Sequence, residues 1–201
     1  DWSSDVCSSD LVGLPDTAVQ EARERVRSGV INQAFDLPPI RIVANLAPAD
    51  LRKAGPQYDL PIALALLSGS GQMRPGAIAG TGAVGELALD GALRPVPGAL
   101  VTAEHAARRG WRRLLVPEAN AAEASLVPGV TVLGARTLRH AVDILEDQAQ
   151  PVPVAATADD LIVHADVATL GDLSDVHGQA DARRALEIAA AGMHSVLMIG
   201  P

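Results

Sequence analysis

The stretch that decides the fold is RLLVPEANAAEASLVPGVTVLGARTLRHAVDIL, residues 113–145. Two short, mostly apolar segments, Arg113–Val116 and Val130–Leu133, are each followed by a segment of helical length, Glu118–Ser125 and Thr137–Leu145. Short apolar runs indicate buried strands, and strands that alternate with helices are typical of a sheet covered by helices. The stretch therefore predicts an α/β (α+β) layered fold.

The segments that precede this stretch predict further elements of the same kind. A helix is expected from Asp16 to Asn32, because apolar residues recur there at spacings of three and four. Alternation between Ile40 and Leu46 predicts a strand, and the apolar run Leu60–Leu67 predicts a buried helix. Asp90-Gly91, between apolar residues, predicts a tight hairpin, because both residues tolerate positive φ. A helix is expected over Gly98–Arg109, which completes a domain with its own core.

Composition excludes several classes of protein. The 201 residues are 48% hydrophobic and 20% charged, as in a globular domain, and no apolar run approaches the ~20 residues that a bilayer requires. The single Cys7 excludes a disulfide framework and a cysteine zinc site, and the five histidines have no metal-ligand spacing. The net charge of −8 excludes a broad basic field. We expect a cytoplasmic protein without a resident metal.

The texture of the sequence divides the chain into four parts. Residues 1–10, DWSSDVCSSD, lack the periodicity that follows and are expected to be a non-native leader or artefact. Residues 11–146 form the α/β domain, and the Pro- and Ala-rich residues 147–172 form a linker. Residues 173–201 begin a second domain. It is predicted to contain a helix over Gln179–Ala191 with Gly192 as its C-cap, followed by a strand from Val196 to Ile199.

Five blocks of the sequence carry a family resemblance. They are VGLPDTAVQEARERVRSGV, NLAPADLRKAGPQYDLPIALALL, VGELALDGALRPVPG, LLVPEANAAEASLV and DVHGQADARRALEIAAAGMHSVLMIGP. In this order they resemble the ComM/YifB family, the magnesium-chelatase-like AAA+ ATPases. The resemblance covers residues 11–201 and implies that the chain is an internal part of a longer ATPase. It also implies a homo-hexamer that uses ATP and Mg²⁺.

The second domain resembles the start of a P-loop AAA+ domain. In the family the strand SVLMIGP leads into the phosphate-binding loop, so Gly200 and Pro201 are the first residues of that loop. The preceding segment resembles the one that lies against adenine. Val176 would give an apolar contact, and backbone groups of His177 and Gly178 would bind the base edge. Since the phosphate-binding lysine comes after residue 201 in the family, this chain alone is not expected to hydrolyse ATP.

The first domain resembles the proteolytic domain of Lon, which uses a serine nucleophile activated by a lysine. Gln57 stands at the serine position, after Gly55-Pro56, and Leu100 stands at the lysine position. Neither side chain can attack a carbonyl or accept a proton. The resemblance therefore implies a Lon-like domain without peptidase chemistry, and the sequence predicts no catalytic residue.

A local basic cluster is predicted from Arg23, Arg25, Arg52 and Lys53. It is either a solvated helix face or a contact to DNA phosphates or to a neighbouring subunit. Two functions stay open at this point. The resemblance implies a motor that translocates DNA and promotes branch migration during uptake and recombination of DNA. The alternative is an ATPase that remodels a protein or inserts a metal.

Overall fold

The computed structural model describes residues 9–12, 16–39, 42–48, 50, 53–154 and 172–199. The chain divides into two compact units, residues 1–161 and residues 162–201. The described helices are α1 (Thr17–Asn32), α2 (Asp59–Gly69), α3 (Ala99–Arg108), α4 (Glu118–Ser125), α5 (Leu138–Leu145) and α6 (Ala180–Gly192). The described strands are β1 (Ser9–Val12), β2 (Ile42–Asn45), β3 (Thr81–Ala83), β4 (Glu86–Leu87), β5 (Leu93–Arg94), β6 (Arg113–Pro117) and β7 (Thr131–Ala135).

Helix α1 begins and ends as its sequence pattern predicts. The Asp16 carboxylate caps it by accepting the Val19 N–H at 2.8 Å. The same carboxylate accepts the Gly55 N–H at 3.1 Å, so the cap also fixes the turn that precedes α2. The buried side chains of α1 recur at spacings of three and four, which confirms the predicted apolar face; they are Val19, Ala22, Val26 and Val30.

A parallel sheet in the order β3-β6-β7 forms the centre of unit 1. Successive side chains of a strand point to opposite faces, and β6 divides its side chains in this way. Leu115 packs in the core built largely by α1, α2 and α5, whereas Leu114 and Val116 pack with α3 and α4. Helices therefore cover both faces of the sheet. The mixed α/β layered fold predicted from residues 113–145 is confirmed.

A second parallel pair joins β1 to β2, with Ser9 opposite Ile42 and Val12 opposite Asn45. Strand β2 lies within the strand predicted from Ile40 to Leu46. Strand β1 is not predicted, and its first two residues, Ser9 and Asp10, fall within the segment assigned to a foreign leader. That assignment of residues 1–10 stays a prediction, and residues 1–8 lie outside the described residues.

The predicted hairpin forms, but its turn differs from the expected one. Strands β4 and β5 pair antiparallel, with Leu87 opposite Leu93, across five connecting residues rather than two. Only Gly91 has positive φ, at +83°. Asp90 keeps negative φ. Its carboxylate accepts the Ala92 N–H at 2.9 Å, and this side-chain hydrogen bond stabilises the loop.

Unit 2 departs from the sequence prediction at the end of its helix. Helix α6 runs through Gly192, and Met193 adopts the left-handed conformation with φ +52°. The absence of a side chain on Gly192 instead makes room for the His194 ring, because a Cβ there would lie 2.6 Å from that ring. Residues 194–199 form no strand, and no described segment pairs with them. A strand needs a neighbour for its N–H and C=O groups, so the predicted strand Val196–Ile199 is not formed.

Candidate functional site

The turn that precedes α2 carries Gln57, which the resemblance predicts to stand at the nucleophile position of Lon. Gly55, with φ +89°, leads into a 3-10 turn over Pro56–Tyr58. The Gln57 side chain donates to the Ala54 carbonyl at 2.6 Å, and the Gln57 carbonyl accepts the Gly85 N–H at 3.1 Å. A neutral carboxamide therefore occupies this position, bonded to its own turn, and it supplies no nucleophile.

Leu100, which the resemblance predicts to stand at the lysine position of Lon, lies in the first turn of α3. Leu100 exposes 39% of its surface, and its backbone N–H donates to the Glu123 carboxylate at 3.0 Å. An alkyl side chain holds no proton at any pH. Together, Gln57 and Leu100 provide neither half of a serine–lysine pair, so acyl transfer has no basis at these two positions.

A buried ion pair lies two residues beyond Gln57. The fully buried Asp59 accepts from Arg25 Nε at 2.6 Å, from Arg25 Nη2 at 3.0 Å and from the Leu87 N–H at 3.1 Å. The hydrogen bond that Arg25 donates to Asp59 raises the pKa of Arg25, and the nearby charges of Asp59, Glu86 and Glu21 act in the same direction. This pair joins α1, the start of α2 and the hairpin. It is a structural link rather than a reactive centre.

The described residues of the predicted basic cluster lie in different surroundings. Arg25 exposes only 18% of its side chain, beside Asp59. Lys53 is buried, and its ammonium donates to the Pro48 carbonyl. Arg23 lies exposed on α1, and Arg52 lies outside the described residues. The surface therefore presents fewer charges for a phosphate or subunit contact than the sequence suggests.

The predicted adenine segment of unit 2 is ordered by hydrogen bonds of its own. Asp172 accepts the Ser174 N–H at 2.7 Å, and its own N–H donates to Asp175 at 2.9 Å. The hydrogen bonds from Ser174 lower the pKa of Asp172. The Arg183 guanidinium reaches back from α6 to the Val176 carbonyl at 3.3 Å. The segment is thus tied to the helix that follows it.

Val176, His177 and Gly178 are brought together as consecutive exposed residues before α6. Val176 exposes 41% of its surface, and the chain turns through positive φ at Gly178 and Gln179. No described residue accepts a hydrogen bond from the backbone N–H of His177 or Gly178. This is an apolar side chain followed by two open donors. Gly200 and Pro201 lie outside the described residues.

One surface of unit 1 is missing from the sequence prediction. Four arginines occur within residues 108–113 and surround Trp111, which is 40% exposed at the end of α3. The density of arginine around one aromatic residue could have identified it, because this combination is a mark of nucleic-acid contact. The net charge of −8 for the whole chain gives no sign of this local concentration of positive charge.

The described part of the chain lacks two features. No group of three or more His, Cys, Asp or Glu residues there could hold a metal ion. No helix there is long and apolar enough to cross a membrane.

Comparisons with known proteins agree with the resemblance. The family described as "Subunit ChlI of Mg-chelatase" matches residues 1–120, and "Magnesium chelatase, subunit ChlI" matches residues 172–201. YifB of Escherichia coli K12 is 45% identical over 194 residues, and the competence protein ComM of Haemophilus influenzae is 43% identical over 192. A protein of Mycobacterium tuberculosis is 42% identical over 191 residues.

Each of these relatives matches 95% of this chain, and the match spans only 37% of the relative's own length. The family match covers more than half of the chain, and the identity extends through both units. The chain therefore belongs to the magnesium-chelatase-like ComM/YifB family.

Proposed function

We propose that the chain is part of an ATP-dependent AAA+ motor that acts on DNA. The observation that carries the proposal is the segment before α6, where exposed Val176 is followed by the open N–H groups of His177 and Gly178. An apolar side chain and two backbone donors suit an adenine ring, which offers a flat face and acceptor nitrogens at its edge. This fit supports a nucleotide site in unit 2.

In the proposed site, Val176 packs on the base, and the backbone at His177 and Gly178 binds its edge. Arg183, by holding the Val176 carbonyl, keeps the segment in place when the base arrives. Gly200 and Pro201 begin the phosphate loop. Bound ATP with Mg²⁺ supplies the phosphoryl-transfer free energy that drives the motor, and hydrolysis needs residues that follow position 201 in the family.

Unit 1 is proposed to act without chemistry of its own. The glutamine and leucine at positions 57 and 100 support this, since neither can serve in peptide cleavage. We propose that the Lon-like domain, residues 11–146, assembles the homo-hexamer or guides DNA into it. Residues 147–172 would link it to the AAA+ domain that starts at residue 173. Arg23 and Arg52 stay proposed contacts to DNA or to a neighbouring subunit.

DNA is the proposed substrate because a relative at 43% identity is named a competence protein. The substrate would then be a strand undergoing uptake or recombination, with branch migration as the motor's action. ATP and chromosomal DNA are both present in the cytoplasm, which is the proposed location. The family description names a metal chelatase, and that activity is the second candidate.

The test uses this chain extended to the length of its relatives. We expect four-way branched DNA to stimulate ATP turnover, whereas unfolded casein and a porphyrin with Mg²⁺ leave it at the basal rate. Val176→Asp should raise KM for ATP with a smaller change in kcat, because the contact is to the base rather than to the reacting phosphate. Val154→Asp, an equally exposed valine outside the segment, is the matched control. If casein or the porphyrin stimulated ATP turnover and DNA did not, DNA would be excluded as the substrate.

A further inference from the structure

Trp111 is held at the surface by the way α3 ends. The Gly110 N–H donates to the Ala107 carbonyl at 3.0 Å, and the Trp111 N–H donates to the Ala106 carbonyl at 2.9 Å. Gly110 has φ +71°, the left-handed conformation that commonly ends a helix. The chain therefore turns sharply after Arg109 and presents the indole beside the start of β6.

The indole ring is fixed on one side. A Cβ on Gly82 would lie 2.5 Å from Trp111 Cε3, so the absence of a side chain on β3 makes room for the ring. The His105 ring meets the indole edge-on, with centroids 6.3 Å apart and an interplanar angle of 90°. Even so, 40% of Trp111 stays exposed. A ring held in this way loses little conformational entropy when a second ring stacks on it.

Arginines flank Trp111 along the chain. Arg108, Arg109 and Arg112 are all exposed, and Arg108 is partly neutralised by an ion pair with Glu104 one turn earlier in α3. Within the described residues, neither Arg109 nor Arg112 makes a side-chain hydrogen bond or ion pair. The carbonyl end of α3 contributes only about half a negative charge. The local balance is therefore positive although the whole chain is acidic.

We propose that the surface formed by Trp111, Arg109 and Arg112, here called the Trp111 surface, binds single-stranded nucleic acid. A base stacks on the indole, and the two guanidinium groups bind the flanking phosphates. A duplex hides the faces of its bases, and a run of Asp and Glu side chains offers no flat ring for the indole, so a single strand fits best. The proposal rests on the proposed function for the identity of the strand as DNA.

The test measures Trp111 fluorescence in the 201-residue chain carrying Trp2→Phe, which leaves one tryptophan. The probe is an oligo(dT) of about 12 nucleotides, a length within the usual site sizes. We expect saturable quenching at low salt with a dissociation constant near 0.1 mM, which is typical of weak non-specific contacts. The constant should rise with salt, with a logarithmic slope of about 1.4 for two phosphates.

Two variants with a matched control locate the site. Arg109→Gln with Arg112→Gln should abolish most of the salt dependence, and neither change removes an internal contact. Arg27→Gln with Arg94→Gln removes the same charge from exposed positions on α1 and β5, outside the proposed DNA contacts, and should leave binding unchanged. Trp111→Ala, followed by anisotropy of a labelled oligonucleotide, should weaken binding roughly 5- to 150-fold. Circular dichroism checks that each variant is folded.

Several results would overturn the proposal. These are no quenching up to about 1 mM oligonucleotide, equal losses in the two double-arginine variants, or equal quenching by a duplex or by polyglutamate. Binding of oligo(rU) without oligo(dT) would assign the surface to RNA and overturn the DNA assignment. The assay needs no ATP, so it can fail while branched DNA still stimulates the extended ATPase. The reverse outcome, quenching without stimulation, would overturn the proposed function and keep the Trp111 surface.

Discussion

The buried pair between Arg25 and Asp59 allows a prediction whose size follows from the structure. Arg25→Met removes both guanidinium bonds, at 2.6 and 3.0 Å, and leaves a fully buried carboxylate with one neutral donor, the Leu87 N–H. Breaking a buried pair by removing one partner costs about 3–5 kcal/mol. A typical domain has a free energy of unfolding of about 5–15 kcal/mol, so the loss should be a large fraction of the total.

The measurement is urea unfolding followed by circular dichroism, with thermal melting as a second readout. For a unit of this size, a loss of 3–5 kcal/mol corresponds to a fall in Tm of about 6–20 °C. The matched control is Arg27→Met, the same replacement two residues further along α1 at an exposed position. It should change the free energy of unfolding by less than about 0.5 kcal/mol.

A double variant separates the pair from its surroundings. Arg25→Met combined with Asp59→Asn leaves no unpaired charge, and the new carboxamide still accepts the Leu87 N–H. We expect the loss in free energy of unfolding of the double variant to be smaller than the summed losses of the two single variants. The difference should be at least about 1.5 kcal/mol, within the range known for contacting residues. The reasoning is refuted if the free energy of unfolding of Arg25→Met lies within about 1 kcal/mol of that of the parent. It is also refuted if the loss in the double variant equals the sum of the losses in the two single variants.

Three further predictions concern unit 1 and the nucleotide. Casein and fluorogenic peptides should stay intact, even with Gln57→Ser and Leu100→Lys, because the pocket must also lower the lysine pKa; cleavage that survives repurification would contradict this. The Arg136 hydrogen bond lowers the pKa of Glu118, so its contribution to stability is present above the ordinary pKa and lost as pH falls through the lowered one. Urea unfolding should therefore show that Glu118→Gln destabilises at about pH 7 and progressively less as the pH falls below the ordinary carboxyl value of about 4, and an effect that does not shrink as the pH falls would be inconsistent. The 201-residue chain should bind ATP no tighter than about 1 mM, which is about 4 kcal/mol, and calorimetry that gives a tighter constant would exclude this.

Local patterns predict most of the elements of unit 1. The apolar spacing of α1 and the strand-helix alternation after residue 112 both follow from the burial of one face, which leaves a period in the sequence. Strand pairing leaves no such mark when the strand is short. Strand β1 has four residues, so its pairing with β2 could not be predicted from its composition.

The fate of the basic residues could not be predicted because it depends on partners far along the chain. Arg25 lies three residues after the buried Ala22, at the border of the apolar face of α1. Whether the side chain of such a residue points into solvent depends on which part of the chain packs beside it. For Arg25 that part is Asp59, 34 residues later in the sequence. Arg23 has no such partner in the described structure and stays exposed, which local spacing alone would also predict.

The geometry around Gln57 explains how a Lon-like domain can keep its architecture without the dyad. The Gln57 backbone anchors the chain near the hairpin through the Gly85 N–H, and Asp59 then ties α2 to α1 and β4. Both links are independent of the Gln57 side chain, whose hydrogen bond within the described structure goes to Ala54 in its own turn. Replacement at position 57 therefore changes chemistry at little structural cost, whereas replacement at position 59 breaks three hydrogen bonds.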